Sequence, residues 1–161
     1  MDNETLVPSE TPENRAELME FYKTYLGSIE VTTNRRQQSN QFFIGLLTAL
    51  LGIVGLIFNN EGDGFTNVLQ GFLLILSGLL GLLLSAVWLR YIRSSVLLNK
   101  VKFEILDKME DRLSQQPFRE EYQLLKKRGY VGLGRIEGRL PWMMMVPYVI
   151  ILGFGIALTL S

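Results

Sequence analysis

Three stretches of this chain, residues 42–58, 66–89 and 141–161, contain no charged side chain. A helix needs roughly 20 apolar residues to cross about 30 Å of hydrocarbon. In lipid every backbone N–H and C=O must be satisfied within the segment, which leaves helices as the natural solution for isolated apolar runs. Buried helices of a soluble domain are the alternative, and three such runs in 161 residues argue against it. The expected fold is an all-α integral membrane protein with three transmembrane helices, 42–58, 68–89 and 142–160. Residues 59–67 form a short external loop, 12–41 and 90–141 form long cytoplasmic helical extensions, and 1–11 are a disordered tail.

Charge distribution sets an expected orientation. The sixteen basic and sixteen acidic residues cancel, but twelve of the basic ones lie in 90–140. Arg35 and Arg36 precede the first run, whereas the connection between the first two runs holds Glu61 and Asp63 and no basic residue. Short loops rich in Lys and Arg stay in the cytoplasm, so the N-terminus is expected inside and the C-terminus outside. Trp88, Tyr91 and Trp142 then sit where aromatic rings favour the inner membrane interface. The polar, acidic beginning shows no secretory-signal pattern.

Each run carries small residues at four-residue steps: Gly45 and Ala49; Ser77, Gly81 and Ser85; Gly153 and Ala157. Such steps let helix backbones approach closely in lipid, where packing replaces the hydrophobic effect. All seven are candidate assembly contacts. Pro147 should kink the third helix.

The flanking segments read as helices too. Thr11 can cap, Pro12 suits a first turn and Glu13 favours the positive helix end. Leu18, Tyr22, Tyr25 and Ile29 follow at helical spacing. A break at 27–33 is the rival to one long helix. After the second run, Ile92, Val96, Asn99, Phe103 and Leu106 form one stripe. "QQPFREEYQLLKKRG" is a further short helix ended by Gly129, and "GYVGLGRIEGRLP" a loop back to the membrane. Aligning Phe42 with Trp88 in depth on antiparallel helices places Arg36 near Ser94, Thr32 near Leu98 and Glu30 near Lys100. Glu30 is therefore expected to pair with Lys100 or Lys102, within or between subunits. Asn99, a single polar residue on an apolar stripe, is expected either to fix register and oligomer state or to be a satisfied surface residue.

Chemistry is limited. There is no Cys and no His, which removes thiol nucleophiles, disulfides, Cys/His zinc sites and imidazole acid–base catalysis. No nucleophile has a nearby base, Glu120 and Glu121 suit a helix start, and no cofactor is implied. The chain is expected not to be an enzyme.

The segments "RRQQSNQFF", "WLRYIRS", "LNKVKFEILDKME" and "IEGRLPW" resemble the signatures of RipA-like small integral membrane proteins of bacteria. The residues carrying the resemblance are Arg35, Arg36, Asn40, Phe43, Trp88, Ile92, Arg93, Asn99, Lys102, Phe103, Glu110, Glu137 and Pro141, and it covers roughly residues 22–142. It implies an octameric protein of the bacterial cytoplasmic (inner) membrane and no catalytic residues. Asn40 and Phe103 join Glu30 and Asn99 as candidate assembly contacts.

Two functions are open on these residues. One is a pore-forming or membrane-perturbing effector of the kind used in antiviral defence, gated from its cytoplasmic helices. Arg35, Arg36, Lys100, Lys102, Lys126, Lys127 and Arg128 would form a basic ring for an anionic nucleotide or oligonucleotide, or would contact anionic lipid. The other is a non-conducting scaffold supporting envelope function or stress adaptation. The runs hold no ionisable residue, which disfavours a pump or ion-coupled transporter and makes any pore narrowly apolar, gated by dewetting.

Overall fold

The computed structural model describes residues 12–59, 67–112, 116–130 and 133–160. The N-terminal tail, Thr11, the connection containing Glu61 and Asp63, and Leu113 lie outside the described residues. Five helices follow in order: α1 Pro12–Asn59, α2 Asn67–Glu110, α3 Pro117–Lys127, α4 Leu133–Glu137 and α5 Leu140–Leu160. The three long helices each contain a stretch long and apolar enough to cross a membrane. The rival break at 27–33 does not occur: α1 is one helix of 48 residues, about 70 Å at 1.5 Å per residue. The glycine-containing return segment is not a plain loop either, because Leu133–Glu137 forms α4. Helix α5 continues through Pro147.

The chain divides into two compact units, and α1 and α2 contribute to both. Unit 2 comprises Asn34–Leu98 and Tyr130–Ser161. Its core joins Leu47, Val54, Leu74, Trp88, Ile92, Tyr148 and Ile151, with Phe43 and Val96 packed against them. Buried positions recur every seven residues, at Arg36 and then half-buried Phe43 on α1, and at Gly71, Gly78, Ser85 and Ile92 on α2. A seven-residue period is the signature of helices wound side by side with a left-handed twist.

Helices α2 and α5 meet through glycine. A Cβ built on Gly71 would lie 2.9 Å from the Gly155 carbonyl, and one on Gly78 would lie 2.9 Å from Leu152 Cβ. At Gly81 it would strike the Tyr148 ring. The Tyr148 hydroxyl donates to the Leu47 carbonyl on α1, so a single ring fills the gap left by Gly81 and ties α5 to α1. The Trp88 indole N–H donates to Asn40 Oδ1 at 2.9 Å, and its ring stacks on Phe43. Trp88 is fully buried. Its N–H therefore finds its partner inside the bundle, at Asn40.

Unit 1 comprises Met1–Thr33 and Asn99–Gly129. Its apolar core is small: Tyr22, Ile29 and Leu106, with Tyr25, Leu26, Met109 and Phe118 around them. Polar contacts supply much of the remaining order. Gly129 ends α3 with a positive φ of 70° and its N–H donates to the Lys126 carbonyl. That is the glycine terminator expected from the sequence.

Candidate functional site

Within unit 1, Glu110 is the organising side chain. It is fully buried. Its Oε1 accepts from the Tyr22 hydroxyl at 2.9 Å and the Phe118 N–H at 3.0 Å, and its Oε2 accepts from the Arg119 N–H at 3.1 Å. Gln116, the residue at the N-cap of α3, offers no side-chain cap. A carboxylate eight and nine residues back in sequence thus satisfies two free N–H groups of the first turn, where the helix dipole favours negative charge. Burial, followed by the bond to Glu110, pushes the Tyr22 phenol up to about 12. Arg119 bridges Asp107 at 2.9 Å and Asp111 at 2.7 Å on the surface. Its hydrogen bond holds the Asp107 carboxyl below the usual carboxylate range, and the guanidinium is correspondingly raised.

Lys102 meets no carboxylate among the described residues. Its ammonium donates to the Ser28 carbonyl at 2.9 Å and to Thr32 Oγ1 at 2.7 Å. Glu30 and Lys100 are both exposed. The expected Glu30–lysine pair is thus not made within the chain, because Ser28 and Thr32 already occupy the ammonium. Asn99 is buried against Thr33, with a long 3.5 Å contact, and its Oδ1 has no partner. It faces the chain's own α1, so it is neither a surface residue nor placed to meet its equivalents in other subunits. Phe103 is exposed and departs from the expected stripe, because the seven-residue period that buries Asn99 and Leu106 turns Lys102 inward instead.

Phe103 lines a groove of about 560 Å³ with Leu106, Phe118, Tyr122 and Leu125. The charged side chains there are Lys100 and Arg119 against Glu104, Asp107 and Glu121. Carboxylates outnumber cations, and Arg119 is already engaged by Asp107 and Asp111. A polyanion gains little in such a groove. Lys126, Lys127 and Arg128 are exposed at the end of α3, where basic charge also suits the helix dipole.

In unit 2 the Arg pair splits. Arg36 is buried, and its Nε lies 2.9 Å from Glu137 Oε2 of α4. The approach is not aligned as a hydrogen bond, so charge rather than a directed bond holds the pair. Arg35 is exposed and has no acidic partner among the described residues. Arg36 and Lys102 are thus turned into the protein and are not available to a basic ring.

The small-residue steps split as well. Ser77, Gly81 and Ser85 are buried within the chain, and the Ser85 hydroxyl donates to the Gly81 carbonyl. Gly45, Ala49, Gly153 and Ala157 are exposed, and a Cβ at Gly45 or Gly153 would meet nothing. The inward contacts Gly71, Gly78 and Gly155 lie outside the four-residue small-residue steps. The seven-residue interval between Gly71 and Gly78 is the signal that marks them.

The outward surface of α1 is divided along its length. Gln41, Gly45, Thr48, Gly52, Gly55 and Asn59 are all exposed, and alternating steps of four and three residues put them on one strip. The large apolar side chains Phe42, Leu46, Ile53 and Leu56, also exposed, stand beside it. Helix α2 has no such strip: Val68, Phe72, Leu76, Leu79, Leu83 and Val87 are all large and outward. Ser85 and Thr159 bond carbonyls of their own helices. The Thr48 hydroxyl makes no hydrogen bond among the described residues.

Three long apolar helices, two of them an antiparallel pair joined by internal polar contacts, define a small helical membrane protein. The model of the octameric membrane protein family matches residues 19–157; the chain belongs to that family and is a homo-oligomeric membrane protein. The match supports the broader part of the resemblance and leaves the RipA-like assignment within it open. No curated protein and no solved structure matches the chain.

Proposed function

We propose that eight copies form a ring in the bacterial cytoplasmic membrane, with the N-terminus inside, and that the exposed strip of α1 lines a neutral conduit at its centre. The observation that carries this reading is the division of α1's outward face. Polar groups and bare glycine backbone facing hydrocarbon cost free energy that large apolar side chains do not. A ring removes that cost by turning the strip toward its axis and Phe42, Leu46, Ile53 and Leu56 toward lipid or the neighbouring subunit. The strip is polar at Gln41 and Asn59, carries one hydroxyl at Thr48 and is otherwise glycine. With no ionisable group on it, gating by wetting and dewetting of the middle segment fits best. No step of this function requires catalysis.

The test is ion flux from liposomes holding the purified oligomer, with and without added nucleotides. Wild type is expected to conduct under at least one condition, and Gly52→Leu to reduce the flux strongly by narrowing the conduit. Leu79→Ala, on the outward face of α2, is expected to change it little. Absence of flux under all conditions would overturn the pore. The scaffold reading would then stand on the apolar groove of unit 1, whose exposed Phe103 and Tyr122 suit a docked partner, and recovery of a specific partner would support it. Dependence on a nucleotide would assign the effector role, and the exposed Lys126, Lys127 and Arg128 are the residues to alter first.

A further inference from the structure

Beside the strip, where the first apolar run begins, lies a shallow pocket of about 350 Å³. Its lining is Arg35, Gln38, Ser39 and Phe42 from α1 and Tyr91 from α2. The chemistry of this set is uneven in a useful way. Its only charge is the Arg35 guanidinium, which has no acidic partner among the described residues, whereas the adjacent Arg36 is taken by Glu137. Gln38, Ser39 and Tyr91 add neutral hydrogen-bond donors. The only apolar member, Phe42, is 64% exposed and belongs to the face of α1 that carries Leu46 and Ile53.

We infer that this pocket seats the phosphate of an anionic phospholipid, with Arg35 as its charged donor and Phe42 against the first carbons of the acyl chains. A guanidinium presents paired N–H donors that match two phosphate oxygens, and such charge-assisted bonds are among the stronger polar contacts. Neutral donors around it select against a zwitterionic headgroup only weakly, so the lipid's net negative charge carries the preference. The phosphate could in principle come from solution. The apolar wall at Phe42, placed where the charge-free run begins, favours a lipid. The site stands whether or not the oligomer conducts ions.

The experiment is native mass spectrometry of the detergent-purified oligomer titrated with phosphatidylglycerol, phosphatidylcholine or inorganic phosphate. Wild type is expected to retain phosphatidylglycerol over phosphatidylcholine. Arg35→Gln is expected to weaken that retention roughly tenfold, the scale of one charge-assisted contact, and Arg35→Lys to restore part of it. Arg90→Gln removes another exposed charge, outside the pocket, and is expected to have a small effect. Tyr91→Phe, which keeps the ring, is expected to weaken retention by less than Arg35→Gln. Equal losses from Arg35→Gln and Arg90→Gln would reduce the attraction to diffuse surface charge and overturn the site. Displacement of phosphatidylglycerol by inorganic phosphate would overturn the lipid assignment.

Discussion

The two units are stabilised by different means. In unit 2, α2 and α5 close through Gly71, Gly78, Gly81 and Gly155, and the polar contacts of Asn40, Arg36 and Tyr148 supplement an extended apolar core. In unit 1 the apolar core is Tyr22, Ile29 and Leu106 with a few half-buried neighbours, and much of the order rests on Glu110 and Lys102. The contrast follows from solvent. Lipid gives helices no hydrophobic reason to associate, so close backbone approach and dispersion must do it. Unit 1 has only a small apolar core, so charge-assisted bonds to backbone groups carry more of the load there. Units of this second kind open locally at lower free energy.

Substitutions should separate the units in order of severity. Gly81→Leu drives a side chain into the Tyr148 ring, which is itself fully buried. The expected result is loss of the monodisperse oligomer in detergent, read by size-exclusion chromatography. Glu137→Ala leaves the buried Arg36 charge uncompensated, a change that costs about 3–5 kcal/mol in buried pairs. Thermal unfolding in detergent should show it, with Arg36→Met as a second change restoring part of the loss. An Ala at 137 that leaves stability unchanged would mean that water already solvates the pair.

Glu110→Ala should act on unit 1 alone. It strips the Tyr22 hydroxyl and two α3 N–H groups of their acceptor, for a cost of about 1–3 kcal/mol for each group left buried and unsatisfied. Amide exchange in Pro117–Lys127 should accelerate while the glycine seam of unit 2 stays protected. Acceleration throughout both units would show that they open together.

Titration should give the smallest effects. The raised Tyr22 phenol stabilises unit 1 while it remains protonated. That contribution is complete below the ordinary tyrosine pKa of about 10 and is lost as pH rises toward about 12. Tyr22→Phe should remove a component of the phenolate absorbance that titrates above the ordinary tyrosine range. Asp107 has the opposite sign. Its depressed carboxyl contributes above the ordinary value of about 3.9, and the contribution is lost as pH falls through its lowered pKa. Asp107→Asn should flatten that acid limb slightly, as befits an exposed pair.

Much of the architecture was legible because it depends on length and period. Charge-free runs gave the three spans, and depth alignment of α1 with α2 put Thr32 near Leu98. The observed neighbours are Thr32 with Lys102 and Thr33 with Asn99, within about one helical turn. Facing was harder to read. The step from Gly45 to Ala49 and the step from Gly81 to Ser85 look alike in sequence, yet only the second turns inward, because Tyr148 lies opposite it. The sequence does not reveal that the Trp88 indole is bonded to Asn40 and stacked on Phe43, because these residues lie 48 and 45 positions away along the chain. Lys102 and Phe103 exchanged roles because a seven-residue period drifts from the 3.6-residue helix repeat. The strip on α1 was hidden for the same reason: Gln41, Thr48 and Asn59 stand out only once their large apolar neighbours are known to face away from them.

The central claim is that α1 presents two different outward faces, one toward water and one not. The chain contains no cysteine, so single cysteines along residues 41–56 can be introduced without removing any. Their modification by a membrane-impermeant thiol reagent, in the oligomer reconstituted in lipid, measures the claim directly. Cysteines at 41, 45, 48, 52 and 55 are expected to react, and those at 42, 46, 53 and 56 to stay protected. Protection at all positions, or reactivity without the alternating period of four and three, would contradict the account.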